Sequence, residues 1–232
     1  MRIFTFPGEN VQIVQPLTTQ YYQHPTRSRL SRASKLVLDR LMALFAIAFF
    51  APFFLTVAVL ILIFDGSPVV YSQLRVGRGG RLFRCHKFRT MVKNADRALH
   101  DLLEADPAAR QEWDLTQKLT KDPRISCLGA FLRKTSLDEL PQFWNVLKGD
   151  MSIVGPRPIV TSEIRHYGDR IGDYLSVRPG ITGLWQVSGR SDTSYEQRVS
   201  LDCAYVAQQS TLFDMSIIVR TIGVVLLRKG AR

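Results

Sequence analysis

The chain has 232 residues, of which 46% are hydrophobic, so it is long and apolar enough to bury one core with additions. Its formal net charge of +11 and its pI near 10 indicate an anionic partner, such as nucleic acid, anionic lipid or a phosphorylated substrate. The three cysteines, Cys85, Cys127 and Cys203, are too scattered for a zinc site or a disulfide framework, which fits a reducing, cytosol-facing location.

Residues 1–32 are polar and interrupted by prolines, and they end in a basic cluster. This composition predicts a disordered cytoplasmic tail. A secretory signal peptide is excluded because the apolar run begins too late and is too long.

Residues 41–64 carry no charge and exceed the about 20 residues that a helix needs to span a bilayer. Two features favour re-entry over a plain span. Pro52 lies at the middle of the run, where it removes a backbone hydrogen bond and bends the helix. Both flanks are basic, and the positive-inside rule then places both in the cytoplasm. We interpret residues 33–64 as a re-entrant membrane helix broken at Pro52, with a proline-kinked spanning helix as the alternative.

Lys35 and Asp39 share one face of this helix, either as a local ion pair or as the groups that fix the helix at headgroup depth. Beyond the helix, short strands around Gly77, Gly79 and Gly80 predict a β-hairpin. Residues 92–120 have helical periodicity, and Pro107 divides them into two helices with no assigned chemistry.

Residues 134–158 carry the candidate chemistry. Asp138 and Glu139 are adjacent carboxylates, which can act as nucleophile, base or metal ligand. The chain then returns through a Gly-Pro turn to Arg157, and arginine is the usual bidentate partner of phosphate. The same letters also fit helix punctuation, with a capping box from Ser136 to Glu139 and Gly149 just past a helix end. At a helix start, Asp138 would stay ionised.

Two further regions follow. The glycine-rich loop 178–190 permits close backbone approach, and its Trp185 could stack on a base, meet the membrane interface or be buried. Residues 199–229 predict a helical region that contains an amphipathic helix lying at the bilayer surface.

Three motifs in order, KFRTM at 87–91, residues 131–158 and RPGITGLWQVSGR at 178–190, resemble the bacterial sugar transferase family of monotopic polyprenyl-phosphate hexose-1-phosphate transferases. The likeness covers about residues 33–232 and is strongest to the short members that initiate exopolysaccharide synthesis. It implies an α+β, membrane-associated fold with an N-terminal re-entrant helix-hairpin, amphipathic interfacial helices, and a small, mainly helical catalytic domain (65–232) that contains a short β-hairpin.

The resemblance also implies an activity: transfer of a sugar-1-phosphate, with galactose or glucose as the leading sugars, from a UDP-sugar to undecaprenyl phosphate, with release of UMP. Asp138 would be the nucleophile and a ligand of Mg²⁺, and Glu139 the base. The implied phosphate-binding residues are Lys87, Arg89, Arg133 and Arg157. The enzyme would work at the cytoplasmic face of the bacterial inner membrane, in contact with membrane lipids, and a homodimer stays open.

Two rival functions remain from the residues alone. A membrane-anchored nucleic-acid binder would explain the positive charge, but the sequence contains no helix-turn-helix or aromatic RNA-reading motif, and we expect no nucleic-acid partner. A non-catalytic membrane scaffold of the same fold is the other, and the intact Asp138-Glu139 pair argues against it.

Overall fold

A 36-residue helix, α1 (Arg29–Phe64), opens the chain in the computed structural model, which describes residues 29–116, 119–120, 122–189 and 193–226. The helix begins at Arg29, so the disordered tail predicted for residues 1–32 is wrong for residues 29–32, which are helical. Residues 1–28 of that predicted tail lie outside the described residues. Helical geometry continues through Pro52, whose carbonyl accepts a hydrogen bond from the Thr56 hydroxyl at 2.9 Å. We expected a break at Pro52, but the structure shows no interruption of the helix there.

Both halves of α1 pack against the rest of the chain. In the first half, Ala43 is buried in a core cluster with residues such as Val154 and Ile217. In the second half, Val57 and Ile61 belong to another core cluster. Apolar side chains on these faces leave water on packing, and this burial holds α1 along the body of the domain.

The predicted β-hairpin is confirmed. Strand β1 (Val70–Val76) pairs antiparallel with β2 (Leu82–Phe88). The connection turns at Gly79 and Gly80, which have φ values of 66° and 79°. These values lie in the left-handed region that glycine adopts without steric cost, so this turn explains the glycines that the sequence places there.

The middle of the chain is helical, as predicted, and a new helix starts at Pro107. Its helices are α2 (Ala95–Ala105), α3 (Pro107–Thr116), α4 (Cys127–Thr135) and α5 (Gln142–Lys148). The last part of the chain contains α6 (Ile171–Ser176), α7 (Leu184–Ser188), α8 (Tyr195–Gln208) and α9 (Thr211–Leu226).

A second, two-stranded parallel sheet joins β3 (Ser152–Val154) to β4 (Gly180–Thr182). A Cβ atom on Gly180 would lie 2.1 Å from the backbone nitrogen of Gly155, so the two segments approach closely only because both are glycine there. Strand β4 lies in the glycine-rich loop 178–190, for which the sequence predicted close backbone approach but no strand.

Helix α9 lies in the predicted helical region, and apolar side chains occupy both its buried and its exposed surface. Ile217 and Asp214 are buried, whereas Leu212, Met215, Val219 and Ile222 leave 44–84% of their surface exposed. The basic residues after position 226 lie outside the described residues. The fold is thus mostly helical, with a short hairpin and one long apolar helix at its start.

Candidate active site

The two candidate carboxylates lie in a tight connection between α4 and α5. Ser136 ends α4 with a left-handed backbone at φ 58°, and a 3₁₀ turn, Leu137–Glu139, follows. The Ser136 side chain makes no capping hydrogen bond to this turn, so the predicted capping box is wrong. Ser136 lies both at the end of α4 and at the start of the turn, but its backbone is left-handed, whereas a residue whose side chain caps a helix start is usually extended. Gly149 does end α5, with φ 85°, as predicted.

Lys87 joins the carboxylate pair from strand β2. Its ammonium donates a hydrogen bond to Glu139 Oε1 at 2.7 Å and lies 3.6 Å from Asp138 Oδ2. Asp138 is only 8% exposed, whereas Glu139 remains accessible. The arrangement is a buried carboxylate and an accessible one that share a single cation.

Burial raises the pKa of Asp138 above its ordinary value. The Lys87 charge opposes this rise, the neighbouring Glu139 adds to it, and Arg133 opposes it. The expectation that a helix start alone keeps Asp138 ionised is therefore incomplete, because the net pKa shift is upward. Lys87 and Arg133 are the groups that favour the ionised form.

Arg157 lines one pocket with Lys87 and Glu139. It follows β3 through the Gly155–Pro156 turn, which is where the sequence predicts its return. The pocket is lined by charged and amide side chains together with smaller apolar ones: Arg75, Lys87, Glu139, Gln142, Arg157 and Gln186, with Cys85, Pro158 and Ile181. A site in which cations and one carboxylate converge suits a phosphorylated ligand.

Trp185 forms the support behind Arg157. The Arg157 guanidinium lies 5.6 Å from the centre of the Trp185 ring, and the Arg198 guanidinium lies 4.9 Å from it. Trp185 is 5% exposed, which confirms the interpretation of a buried tryptophan over one at the membrane interface. Cation–π contacts of this kind orient a guanidinium while leaving its N–H groups available.

The other two predicted phosphate ligands are placed differently. Arg133 donates a hydrogen bond from Nε to Thr90 Oγ1 at 2.8 Å, and its charge acts on Asp138. Arg89 is buried, and its guanidinium donates to the backbone carbonyls of Asp65 and Gly66 at the end of α1. A cation at a helix C-terminus is stabilised by the carbonyls there. The structure thus brings Lys87 to both carboxylates and Arg157 into the pocket with Glu139, and the charge of Arg133 acts on Asp138. Arg89 binds the end of α1 instead and does not line the pocket.

Arg75 is the charged residue of the pocket that sequence reasoning missed. Its Nη1 donates to the Pro158 carbonyl at 3.1 Å and lies 3.5 Å from Glu163 Oε2. From the sequence, Arg75 contributed only to the basic flank that predicts topology. Strand alternation could have indicated Arg75. In the register of this hairpin, Gln73 pairs with Cys85, so Arg75, Cys85 and Lys87 lie on one face.

The donor set restricts how a metal would bind. Within the ranges that the structure describes, no three histidine, cysteine or acidic side chains are grouped so that they could hold a metal ion. Glu139 provides carboxylate oxygens to the pocket, and its neighbour Asp138 lies 3.6 Å from the same Lys87 ammonium. Mg²⁺ commonly binds one or two carboxylates together with substrate phosphates and water. The residues therefore fit a Mg²⁺ that a bound diphosphate completes, and they do not form an all-protein metal cage.

Comparison with known proteins finds relatives that match most of this chain. Residues 30–228 match the family described as bacterial sugar transferase. The chain is 55% identical over 167 residues to the undecaprenyl-phosphate galactose phosphotransferase of Salmonella typhimurium, a match that covers 72% of this chain and 35% of that protein. It is 47% identical over 198 residues to the exopolysaccharide production protein ExoY of Sinorhizobium fredii, which covers 85% of this chain and 88% of that protein.

A more distant relative has a different sugar in its name. The chain is 35% identical over 212 residues to the UDP-glucose:undecaprenyl-phosphate glucose-1-phosphate transferase of Escherichia coli, a match that covers 88% of this chain and 42% of that protein. The chain thus spans less than half the length of the Salmonella and Escherichia proteins. The family match extends over nearly all of the described residues and includes every residue of the pocket. The chain belongs to the bacterial sugar transferase family.

Proposed function

We propose that the protein transfers a hexose-1-phosphate from a UDP-sugar to undecaprenyl phosphate and releases UMP, as the first membrane step of exopolysaccharide synthesis. The observation that carries the proposal is the Asp138–Glu139 pair, which Lys87 joins at 3.6 Å and 2.7 Å. Lys87 and Glu139 line one pocket with Arg157. The names of the Salmonella and Escherichia relatives support the lipid acceptor, with galactose or glucose as the sugar.

The first half-reaction uses Asp138. One carboxylate oxygen attacks the β-phosphorus of the UDP-sugar and forms an acyl-phosphate bond. The bond between that phosphorus and the bridging oxygen breaks, and its electron pair leaves with UMP. Arg157 and Lys87 are placed to hold phosphoryl oxygens, and fixed cations of this kind stabilise the charge that spreads over them in the transition state.

The second half-reaction uses Glu139. Its more exposed carboxylate accepts the proton of undecaprenyl phosphate when that lipid is the monoanion. A lipid phosphate oxygen then attacks the phosphorus of the phosphosugar-aspartate. The bond to Asp138 breaks, its electron pair returns to the carboxylate, and a lipid diphosphate sugar is formed. Two displacements at one phosphorus explain why the site has two adjacent carboxylates with different exposure.

Asp138 would hold Mg²⁺ together with the diphosphate of the donor. The ion would supply Lewis-acid neutralisation of phosphate charge. In the present arrangement the Lys87 ammonium occupies the space between the two carboxylates. Lys87 therefore neutralises part of the charge of the pair, and we infer that its ammonium turns toward phosphate oxygens when a donor binds.

We place the protein at the cytoplasmic face of the bacterial inner membrane, with α1 inserted from one side. By length and composition, Ser31–Phe64 could cross a membrane, and only 11% of its most apolar window is buried against protein. Its exposed apolar surface therefore suits lipid. The exposed apolar face of α9 provides a second lipid contact of the amphipathic kind.

The two ends of α1 support re-entry over a span. Near its start, Asp39 accepts hydrogen bonds from Ser152 Oγ at 2.7 Å and from the Ile153 backbone at 3.3 Å. Just after its end, Asp65 accepts one from Ser126 Oγ at 2.9 Å. A straight helix separates these points by about 39 Å, more than the hydrocarbon thickness of about 30 Å. A span would carry one of these polar contacts across the bilayer, whereas re-entry leaves both on one side.

Cysteine labelling tests this topology. The exposed Cys127 reports on the domain, and Ala33→Cys reports on the start of α1, both in a background with Cys85→Ala and Cys203→Ser. We expect both thiols to resist an impermeant reagent in intact cells and to react once the inner membrane is opened. Labelling of position 33 in intact cells, with Cys127 still protected, would show that α1 is an ordinary span.

A panel of UDP-sugars tests the reaction itself. The full chain in detergent is incubated with Mg²⁺, undecaprenyl phosphate and each UDP-sugar, and released UMP is measured. We expect UMP release only with a hexose donor and only with the lipid phosphate as acceptor for repeated turnover. Absence of UMP with every donor, from a protein that is folded by circular dichroism, would favour a non-catalytic scaffold.

Removal of the Lys87 charge is expected to change the pH dependence of transfer. Lys87 lowers the pKa of Asp138, so Lys87→Met raises that pKa further. Since the nucleophile must be ionised, activity is lost as pH falls through this pKa, and the acid limb of kcat/KM moves to higher pH. Lys148→Met is the matched control, because Lys148 is exposed and paired with Asp150. An acid limb that stays in place would show that Lys87 does not tune Asp138.

A further inference from the structure

A second group of arginines lies at the opposite end of α5 from the carboxylates. It comprises Arg40 on α1, Arg78 in the turn between β1 and β2, and Arg178 before β4. Arg178 Nε donates to the Gly149 carbonyl at 2.9 Å, and a Cβ atom on Gly149 would lie 3.2 Å from Arg40 Nη2. Gly149 ends α5, which is about 10 Å long, so the group is separated from Asp138 by the length of that helix.

The charge of this group has no direct counterion among the residues that the structure describes. None of the three arginines forms an ion pair with a residue in the described ranges. Two carboxylates are nearby, but Asp39 is bonded to Ser152 and lies 3.7 Å from Lys35, and Asp150 lies 3.6 Å from Lys148.

The pKa of Arg178 is lowered, in agreement with this excess of positive charge. Burial lowers it first, and repulsion from Arg78 and Arg40 lowers it further, while Asp39 opposes the change. Like charges held together at a half-buried position favour the binding of an anion, which removes their mutual repulsion.

The position of Arg40 indicates where that anion comes from. Arg40 is exposed and directly precedes the uncharged run that begins at Leu41. Its helix neighbours Val37, Leu41 and Leu44 expose 56–60% of their surface. An arginine at the edge of an exposed apolar surface lies at the depth of lipid phosphates when that surface enters a bilayer.

We propose that Arg40, Arg78 and Arg178 bind the phosphate group of an anionic membrane phospholipid. The guanidinium fork matches phosphate oxygens and donates parallel hydrogen bonds to them. The three side chains come from α1, the hairpin turn and the loop before β4, so one bound headgroup would connect three separate segments. This site is distinct from the transfer site, because the acceptor phosphate must reach Asp138 at the other end of α5.

Thermal unfolding in mixed micelles tests the proposal without any transfer assay. The full chain in a neutral detergent is titrated with phosphatidylglycerol, with phosphatidylcholine, or with inorganic phosphate and no lipid. A ligand that binds the folded state raises the unfolding temperature according to its occupancy. We expect phosphatidylglycerol to raise it and the other two to have little effect at the same concentration.

Two triple variants distinguish lipid binding at this site from a general effect of positive charge. In the triple variant Arg40→Gln, Arg78→Gln, Arg178→Gln, we expect the apparent affinity for phosphatidylglycerol to fall about tenfold or more, as loss of charged hydrogen bonds to a ligand does. The control carries Arg97→Gln, Arg110→Gln and Arg165→Gln, three exposed arginines with the same total charge, and should respond like the original protein.

The single variant Arg78→Gln keeps the test decisive if the triple variant does not fold, because Arg78 is on an exposed turn. A smaller loss of phosphatidylglycerol affinity is expected from it. The proposal is overturned if the variants keep the full response, if phosphatidylcholine acts equally, or if inorganic phosphate alone reproduces the effect. None of these outcomes depends on which reaction the protein catalyses.

Discussion

Replacing Asp138 with asparagine is expected to abolish both transfer and the formation of a phosphosugar adduct on the protein. The amide has nearly the same shape as the carboxylate but cannot attack phosphorus, so the pocket is retained while the nucleophile is lost. The measurement is the mass of the intact protein after incubation with UDP-sugar and Mg²⁺ in the absence of lipid acceptor. The original protein should gain one hexose phosphate, and Asp138→Asn should gain none.

Glu139→Gln is the companion variant, since it alters the neighbouring carboxylate. We expect it to slow turnover by about 10²–10⁴-fold, the usual effect of losing a general base, and still to form the adduct. The contrast between the two variants is the test of their roles. Full transfer by Asp138→Asn, or an adduct that persists in it, would rule out Asp138 as the covalent nucleophile.

Replacing Arg157 with lysine is expected to reduce kcat/KM by about 10²–10³-fold, comparable to the loss of one transition-state hydrogen-bond donor elsewhere. Lysine keeps the charge but loses the planar fork and its stacking over Trp185. The measurement is UMP release, with membrane binding followed in parallel. Membrane binding should be unchanged, because Arg157 lies in the pocket rather than on α1 or α9.

Two controls define what a loss at Arg157 means. Arg165→Lys changes an exposed arginine in the same region and should leave the kinetics unaltered. Arg198→Lys changes the other guanidinium over Trp185. Arg198 does not line the pocket, so this variant should have only a small effect on the kinetics. Kinetics of Arg157→Lys equal to those of the original protein would show that Arg157 only shapes the turn after β3.

The sequence by itself determined the elements whose signals are local. The uncharged run predicted α1, the glycines between two apolar segments predicted the hairpin, and Pro107 predicted the start of α3. These predictions are correct because helix and strand patterns depend on neighbouring residues. The adjacent carboxylates at 138–139, followed by the Gly-Pro turn before Arg157, likewise identified the candidate site, since all of these residues lie within one short stretch of chain.

The tertiary structure decided what depends on distant contacts. The pairing of β3 with β4 and the arrival of Lys87 beside Glu139 join residues far apart in sequence, which no local pattern specifies. Arg89 has the same residue type and motif context as a phosphate ligand, yet its guanidinium binds carbonyls at the end of α1. Arg75 enters the pocket because of hairpin register.

The protonation of Asp138 also depends on the tertiary structure. Its neighbours in sequence suggest an ionised carboxylate, but its pKa reflects burial and the charges of Lys87, Glu139 and Arg133 together. Burial removes water that would solvate the charge, and only the packed structure determines how much water remains. Residue type and order are therefore written in the sequence, whereas distance, solvation and the choice among several arginines follow from packing.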